Sequence, residues 1–384
     1  MGLANEPASL LAAELAKLAN LSKVFFSDDG STAVEVALKL AYEFARRSGH
    51  SKKPRFLSLD RAYHGDTIGA VSLGHIEQFH KSYSHLRFKT DSVMAPYCYR
   101  CPFNRAKPQR ADAREYRKCN WECVDQVEDK FRRKRYSAFV VEPLIQGAAG
   151  MIPQPSGWLA RVASIARAHG AQLIADEVMT AFGRTGSMFA CEQEKVIPDF
   201  LCLAKGLTGG YLPMAATLTT QSVFDAFLGE YDEFKTFFHG HSYTGNQLGS
   251  AAALANLKIL QSPESIRNRI ELERLLKIEL ETLWRLPVVG DIRQVGLIVG
   301  IELVRNWKTR EPFDLRERAG IRVCEALARR GVLTRSIGNV IVLMPPYCTT
   351  PKQGHKMVSA LEAAIREVFG LNSRGRAVRA PIMK

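Results

Sequence analysis

The strongest constraint in this sequence is an alternation: short, continuously apolar runs, each separated from the next by a stretch of helical periodicity. Residues 136–142, 171–175 and 200–204 are dominated by aliphatic and aromatic side chains, the pattern of strands covered on both faces. Residues 31–46 carry Val34, Ala37, Leu38 and Ala41 at 3.6-residue spacing, and residues 158–169 read as another helix. The same rhythm opens the chain, with a helix at 9–19, a short strand at 23–26 and a strand at 55–59 leading to Tyr63-His64-Gly65. Buried strands alternating with helices predict an α/β domain with a mostly parallel, helix-covered sheet. Ligands of such sheets bind beyond the carboxyl ends of the strands.

After about residue 251 the rhythm changes. A long helical stretch to residue 286 is interrupted at Ser262-Pro263, followed by strands at 297–304 and 340–344 and helices at 315–330 and 351–369. This predicts a smaller α+β domain over 256–370 after a large domain over 1–255, with a basic, disordered tail at 371–384. No apolar stretch reaches the roughly 20 residues of a membrane helix. The N-terminus, with Glu6 and Glu14, lacks the basic start of a signal peptide, so cytoplasmic residence is the expectation. The net charge of +14 would suit polyanions, but the basic stretches 100–135 and 372–384 show no recognisable nucleic-acid motif. Neither a nucleic-acid nor a membrane partner is expected. Cys98, Cys101, Cys119 and Cys123 have the spacing of a four-thiolate metal loop, or of a loop with free thiols. Their run reads as an insertion on the large domain near 96–125.

Four features carry chemistry. Asp176 ends a buried strand, where an unpaired charge is costly; it suits a cationic heterocycle, and a local arginine would satisfy it equally well. Lys205, 29 residues later, follows a second buried strand and precedes Gly206, Gly209 and Gly210. Partial desolvation there would lower its pKa toward a nucleophilic amine. Gly30-Ser31-Thr32 opens a helix and would offer backbone N–H groups to a phosphate, although Asp29 or Ser31 as a simple cap explains the same residues. Tyr63 lies at a strand end where an aromatic ring can stack on a flat ligand.

Together, Gly30-Ser31, Tyr63-His64-Gly65, Glu142-Pro143, Asp176-Glu177-Val178, Phe182-Gly183-Arg184-Thr185-Gly186 and Lys205-Gly206 resemble the class III, fold type I, pyridoxal-phosphate (PLP)-dependent aminotransferases. The resemblance implies PLP as cofactor, Lys205 as its Schiff-base anchor and proton carrier, Asp176 on the pyridine nitrogen, and Val178 on the ring face opposite Tyr63. Gly30 and Ser31 would bind the phosphate, joined by His241 and Ser242 from the second subunit of a homodimer with its site at the interface. Tyr63, Lys205, Gly240 and Arg335 would meet substrate, Arg335 gripping a carboxylate. Residues 63–67, 209–220, 239–246 and 343–347 look like the branch that aminates 8-amino-7-oxononanoate to 7,8-diaminononanoate for biotin synthesis. S-adenosylmethionine is the implied amino donor, with lysine, which also serves relatives, as the alternative.

The chain also departs from the pattern. Ala181 stands where the family usually has glycine, and Val342 where some members place tyrosine. The four tryptophans include no adjacent pair, and about 80 family residues are expected ahead of Met1. Two alternatives follow: a class III transaminase of another ω-amine or amino acid, and a non-catalytic PLP-binding remnant.

Overall fold

The computed structural model describes residues 4–372; of the expected basic tail, residues 373–384 lie outside them. Two compact units emerge. Met1–Pro96, Trp121–Ala149 and Gln154–Ser262 form the first, and Tyr97–Asn120, Gly150–Pro153 and Pro263–Lys384 the second.

The first unit is built on a seven-stranded sheet. Its strands are β1 (Lys23–Ser27), β2 (Phe56–Leu59), β3 (Asp91–Val93), β4 (Ala138–Val141), β5 (Gln172–Asp176), β6 (Phe200–Leu203) and β7 (Ala215–Thr219). Their order is β1-β7-β6-β5-β4-β2-β3. All pairs from β3 to β6 are parallel, whereas β7 pairs antiparallel with both β6 and β1. Every residue of β2, β4, β6 and β7 is buried, which is why β4 and β6 read as unbroken apolar runs. The sequence pattern did not mark β3 or β7, which are short or rich in alanine and threonine.

The helix Gly30–Arg47 covers one face. Asp29 and Thr32 form a reciprocal capping box at its start, satisfying donors that a helix cannot satisfy itself. Ala33, Val34, Ala37, Leu38 and Ala41 join β4, β5 and β6 side chains in one buried cluster. At the far end Arg47 donates to the carbonyls of Ala226 and Lys235 at 2.9 and 2.6 Å. A charge at Val36, which is fully buried, would break this packing.

The second unit centres on the antiparallel strands Val289–Val295 and Ile298–Asn306, with Val340–Leu343 beside the latter. The helices Pro263–Leu280, Ala319–Ala328 and Pro351–Val368 lay Leu272, Leu276, Val323, Leu361 and Ile365 over that sheet's apolar side chains. The expected break at Ser262-Pro263 appears as the gap between Gln247–Leu260 and Pro263–Leu280, because a proline is tolerated in a helix's first turn and not in its interior. The strand Val289–Val295 was not anticipated.

Most of the cysteine-bearing segment, expected on the large domain, packs instead within the second unit: Tyr97–Asn120, with Cys98, Cys101 and Cys119, belongs there, while Cys123 stays in the first. Its basic residues explain this. Arg100 bonds Glu302 at 2.9 Å, Arg110 donates to the Leu286 carbonyl at 2.7 Å and Arg114 to the Gln294 carbonyl at 2.7 Å. Three of the basic residues of the stretch 100–135 are therefore engaged inside the fold, while Arg132, Arg133, Lys134 and Arg135 are exposed. Cys98, Cys101, Cys119 and Cys123 form no disulfide. No group of three or more His, Cys, Asp or Glu residues is placed to hold a metal ion among the described residues.

Candidate active site

Strands β5 and β6 run parallel and adjacent, with Asp176 opposite Cys202. The sheet therefore delivers Asp176 and, just past the end of β6, Lys205 to the same edge. Asp176 is buried. Its Oδ2 lies 2.7 Å from His64 Nδ1, and its Oδ1 accepts the Val178 N–H at 3.1 Å. Each oxygen retains accepting capacity for a further donor.

His64 is enclosed completely. Burial by itself would lower its pKa, but the hydrogen bond and charge of Asp176, with the charge of Glu142, leave it raised. Its Nε2 has no hydrogen-bond partner among the described residues. Glu142 lies beneath the same turn. It accepts the Tyr63 N–H at 3.1 Å and the Gly147 N–H at 2.8 Å. Burial pushes its carboxyl up to about 7 against the pull of His64's charge and these N–H groups.

The start of the helix Gly30–Arg47 forms a second wall. A Cβ on Gly30 would lie 2.6 Å from Val178 Cγ1, so only glycine admits Val178 here. Gly65, at φ 118°, is equally constrained, since its Cβ would fall on Ser31 Oγ. That hydroxyl accepts the Asp66 N–H at 3.0 Å. Gly30, Ser31, the Tyr63-His64-Gly65 turn, Asp176 and Val178 are thus assembled in one place. The Tyr63 hydroxyl donates to Asp66 at 2.8 Å.

Lys205 departs from expectation in one respect. It follows β6, but its side chain is exposed, because the Gly-rich turn after it lies open rather than under another element. Partial desolvation is therefore not a feature of Lys205 in this chain by itself. Its backbone is unusual instead, with φ 43°, a left-handed conformation that costs a non-glycine residue free energy and recurs at functional sites. The turn is held in that shape by Asn256, whose Nδ2 donates to the carbonyls of Gly206 and Leu207 at 2.6 and 3.0 Å.

The loop carrying Gly240, His241 and Ser242 is partly open. Gly240 and Ser242 are exposed. His241 Nδ1 lies 3.5 Å from Asp28 Oδ2 of the same chain, close to the helix start that Gly30 and Ser31 form. Arg335 belongs to the second unit, where its side chain is exposed. Sequence reasoning singled out Tyr63 in the turn but gave His64 and Glu142 no role, although both sit in quoted motifs. Asn256 was missed, as an asparagine inside a helix carries no local signal.

A family model described as aminotransferase class-III matches residues 1–365. The chain is 48% identical to the adenosylmethionine-8-amino-7-oxononanoate aminotransferase of Geobacter sulfurreducens, over 96% of this chain and 81% of that protein. It is also 48% identical to the protein of that name from Nitratidesulfovibrio vulgaris, over 95% of this chain and 67% of that one. The crystal structure of the same-named protein from Methanocaldococcus jannaschii matches with a TM-score of 0.86 at 41% identity, over 96% of this chain and 81% of that one. An amine transaminase from an uncultivated Pseudomonas species, solved in a PLP-bound form, gives 0.87 at 35%, over 96% and 82%. With its parallel sheet, its strand-end acid and its post-strand lysine in the matched span, this chain belongs to the class-III aminotransferases.

Proposed function

We propose that the chain binds PLP and aminates 8-amino-7-oxononanoate to 7,8-diaminononanoate, with S-adenosylmethionine as the amino donor. The buried Asp176 carboxylate carries the cofactor half of this reading. It ends β5 with accepting capacity to spare, beside the lysine that ends β6 and a helix N-terminus kept open by Gly30. This set fits PLP: an acid for a cationic ring nitrogen, an amine for the aldehyde, and first-turn N–H groups for the phosphate. When bound, PLP supplies the electron sink that transamination requires. The substrate half rests on the names of the relatives at 48% identity.

In this reading Asp176 keeps a ring nitrogen protonated, and Val178, pressed on Gly30, supports one face of the ring with Tyr63 toward the other. Lys205 binds the cofactor's aldehyde carbon and afterwards moves a proton within the site. Arg335 and Gly240 meet the acceptor, with Arg335 holding its carboxylate. His241 and Ser242 serve the phosphate of a second copy in a cytoplasmic homodimer. The exposed Tyr211, Tyr231, Phe234, Phe238, Tyr243 and Leu248 give such a partner an apolar surface.

The test is a half-reaction. PLP-loaded protein is mixed with S-adenosylmethionine, and the cofactor absorbance is followed before and after adding 8-amino-7-oxononanoate. Loss and recovery of the band are expected, with neither in Lys205→Ala. A band that responds to other amines but not to S-adenosylmethionine or 8-amino-7-oxononanoate would assign the chain to a different class III substrate. No PLP band at all would leave only a non-catalytic role.

A further inference from the structure

The Asp176 site has a polar floor that the proposed reaction does not itself call on. His64 holds Asp176 Oδ2 at 2.7 Å, with side-chain exposures of 0% and 6% for the two residues. Glu142 fixes the backbone of the same turn through Tyr63 and reaches across to the Gly147 N–H. One imidazole is thus buried with two carboxylates. From these contacts we infer that His64 is a positioning residue for the reaction, holding Asp176 ionised and correctly turned, and that Glu142 governs His64. The inference rests on the proposed PLP chemistry, because Asp176 is useful to a ring nitrogen only as the anion.

The physical argument is electrostatic. A buried carboxylate without a cation tends to take up a proton, and a protonated Asp176 could not hold a pyridinium. A charged His64 at 2.7 Å prevents that, and the charge effects of Asp176 and Glu142 both favour a charged His64. His75 and His80 also face this turn, and each feels the charge of His64. Among the described residues, the acids that act on His64 are Asp176 and Glu142. Glu142 is therefore the acid through which His64 can be tuned without touching Asp176.

Two measurements test this. The first needs no substrate: nitrogen-15 NMR of histidine-labelled protein. His64 is expected to titrate above the ordinary value of about 6.5, and to move down in Glu142→Gln and further in Asp176→Asn. A His64 that titrates below that value in the parent, or that Glu142→Gln leaves unmoved, overturns the inference. The second uses the PLP-loaded enzyme. His64→Leu should cut the half-reaction rate about ten- to hundredfold, the scale on which outer partners of a ligand act, with KM for the acceptor nearly unchanged. The cofactor band should acquire a pH dependence between pH 6 and 8 that the parent lacks. His64→Asn, which can still donate to Asp176, should recover part of the rate. A variant that loses thermal stability while its rate, KM and band profile match the parent's would make His64 structural and sink the inference. A parent enzyme that never reacts with an amino donor would instead strike the proposed function, leaving the NMR result to stand on its own.

Discussion

Each unit buries one polar cluster, and the two are constructed differently. In the second unit, Arg293 is fully buried and donates to the Met151 and Gly150 carbonyls at 2.6 Å each, to Glu302 at 2.7 Å and to Asp291 at 3.0 Å. Arg100 meets the other Glu302 oxygen at 2.9 Å, and the Tyr97 hydroxyl donates to Glu302 as well. Two guanidinium groups face two carboxylates, and three stretches far apart in sequence are tied together. In the first unit, one imidazole faces two carboxylates, Asp176 and Glu142. The first arrangement matches two cations to two carboxylates, with Asp291 Oδ1 left without a hydrogen-bond partner among the described residues; the second has one imidazole for two carboxyl groups, of which burial raises Glu142 to about 7, and its Asp176 lies at a strand end where a cationic ligand can reach it.

Truncating the centre of each cluster should separate these roles. Arg293→Ala leaves Glu302 and Asp291 buried without their shared cation, and should cost about 3–5 kcal/mol in urea denaturation. Replacing Asp291, Arg293 and Glu302 together with apolar residues should recover much of that loss, since the desolvation cost goes with the charges. Asp176→Ala should act the other way, lowering the half-reaction rate about a hundredfold to a thousandfold, as loss of a preorganised electrostatic partner does. Its denaturation midpoint should fall by less than that of Arg293→Ala, because His64, unlike Glu302 and Asp291 without Arg293, can shed its charge when its partner is gone. If Asp176→Ala destabilised the protein as strongly as Arg293→Ala, the contrast between the two clusters would fail.

The contrast was only half legible in the sequence. Asp176 and Lys205 could be read because each follows an apolar run, and the runs are apolar because a parallel sheet is covered on both faces. Gly30 could be read as a helix start, although nothing local revealed that Val178 presses on it. The pairing of His64 with Asp176 joins residues 112 positions apart, and that depends on β2 and β5 lying two places apart in the sheet. Arg293 looked like one more basic residue in a chain of net charge +14; only its burial distinguishes it. The Cys98–Cys123 spacing suggested a metal loop, yet Arg100, Arg110 and Arg114 are what anchor that segment. A lysine after a strand is usually a surface lysine, and Lys205 is exposed; hydropathy reports the strand before it and not what covers the turn after it.

The clusters also differ in how they respond to pH. Burial holds Glu142 at about 7, above its ordinary value of about 4.3. The folded state therefore keeps a proton that the unfolded chain has released, so its contribution to stability is full below the unfolded value and falls as pH rises toward 7. His64, also raised, has the same sign, its contribution being lost as pH rises through its folded value above 6.5. Glu177 at about 7 adds to the trend. In the second unit Asp291 is raised and has the same sign, while Glu302, facing Arg293 and Arg100, is lowered and loses its contribution only at more acid pH. Stability measured by denaturation between pH 5 and 6.5 should fall with pH. Glu142→Gln should reduce that slope by about 1.4 kcal/mol per pH unit, and Asp291→Asn, also raised to about 7, by a similar amount. An unchanged slope in Glu142→Gln would mean that Glu142 is ionised throughout and that the first-unit cluster is not short of positive charge.

The smallest expected effect concerns the wall rather than the floor of the site. In Gly30→Ala the new methyl would meet Val178 Cγ1 at 2.6 Å and Cγ2 at 3.0 Å, closer than carbon atoms approach without one of them moving. Val178 is only half-buried, so it can turn away, and the cost should sit near the lower end of the roughly 1–3 kcal/mol of an overpacked contact. Turning Val178 would shift the surface offered to a planar ligand beside Asp176, so PLP affinity should fall by more than the stability loss accounts for. Val178→Ala in the same chain should restore stability by making room, without restoring the ring contact. If the double variant regained full PLP affinity, Val178 would be a spacer for Gly30 and the ligand-facing wall would have to be sought among the other residues of the turn.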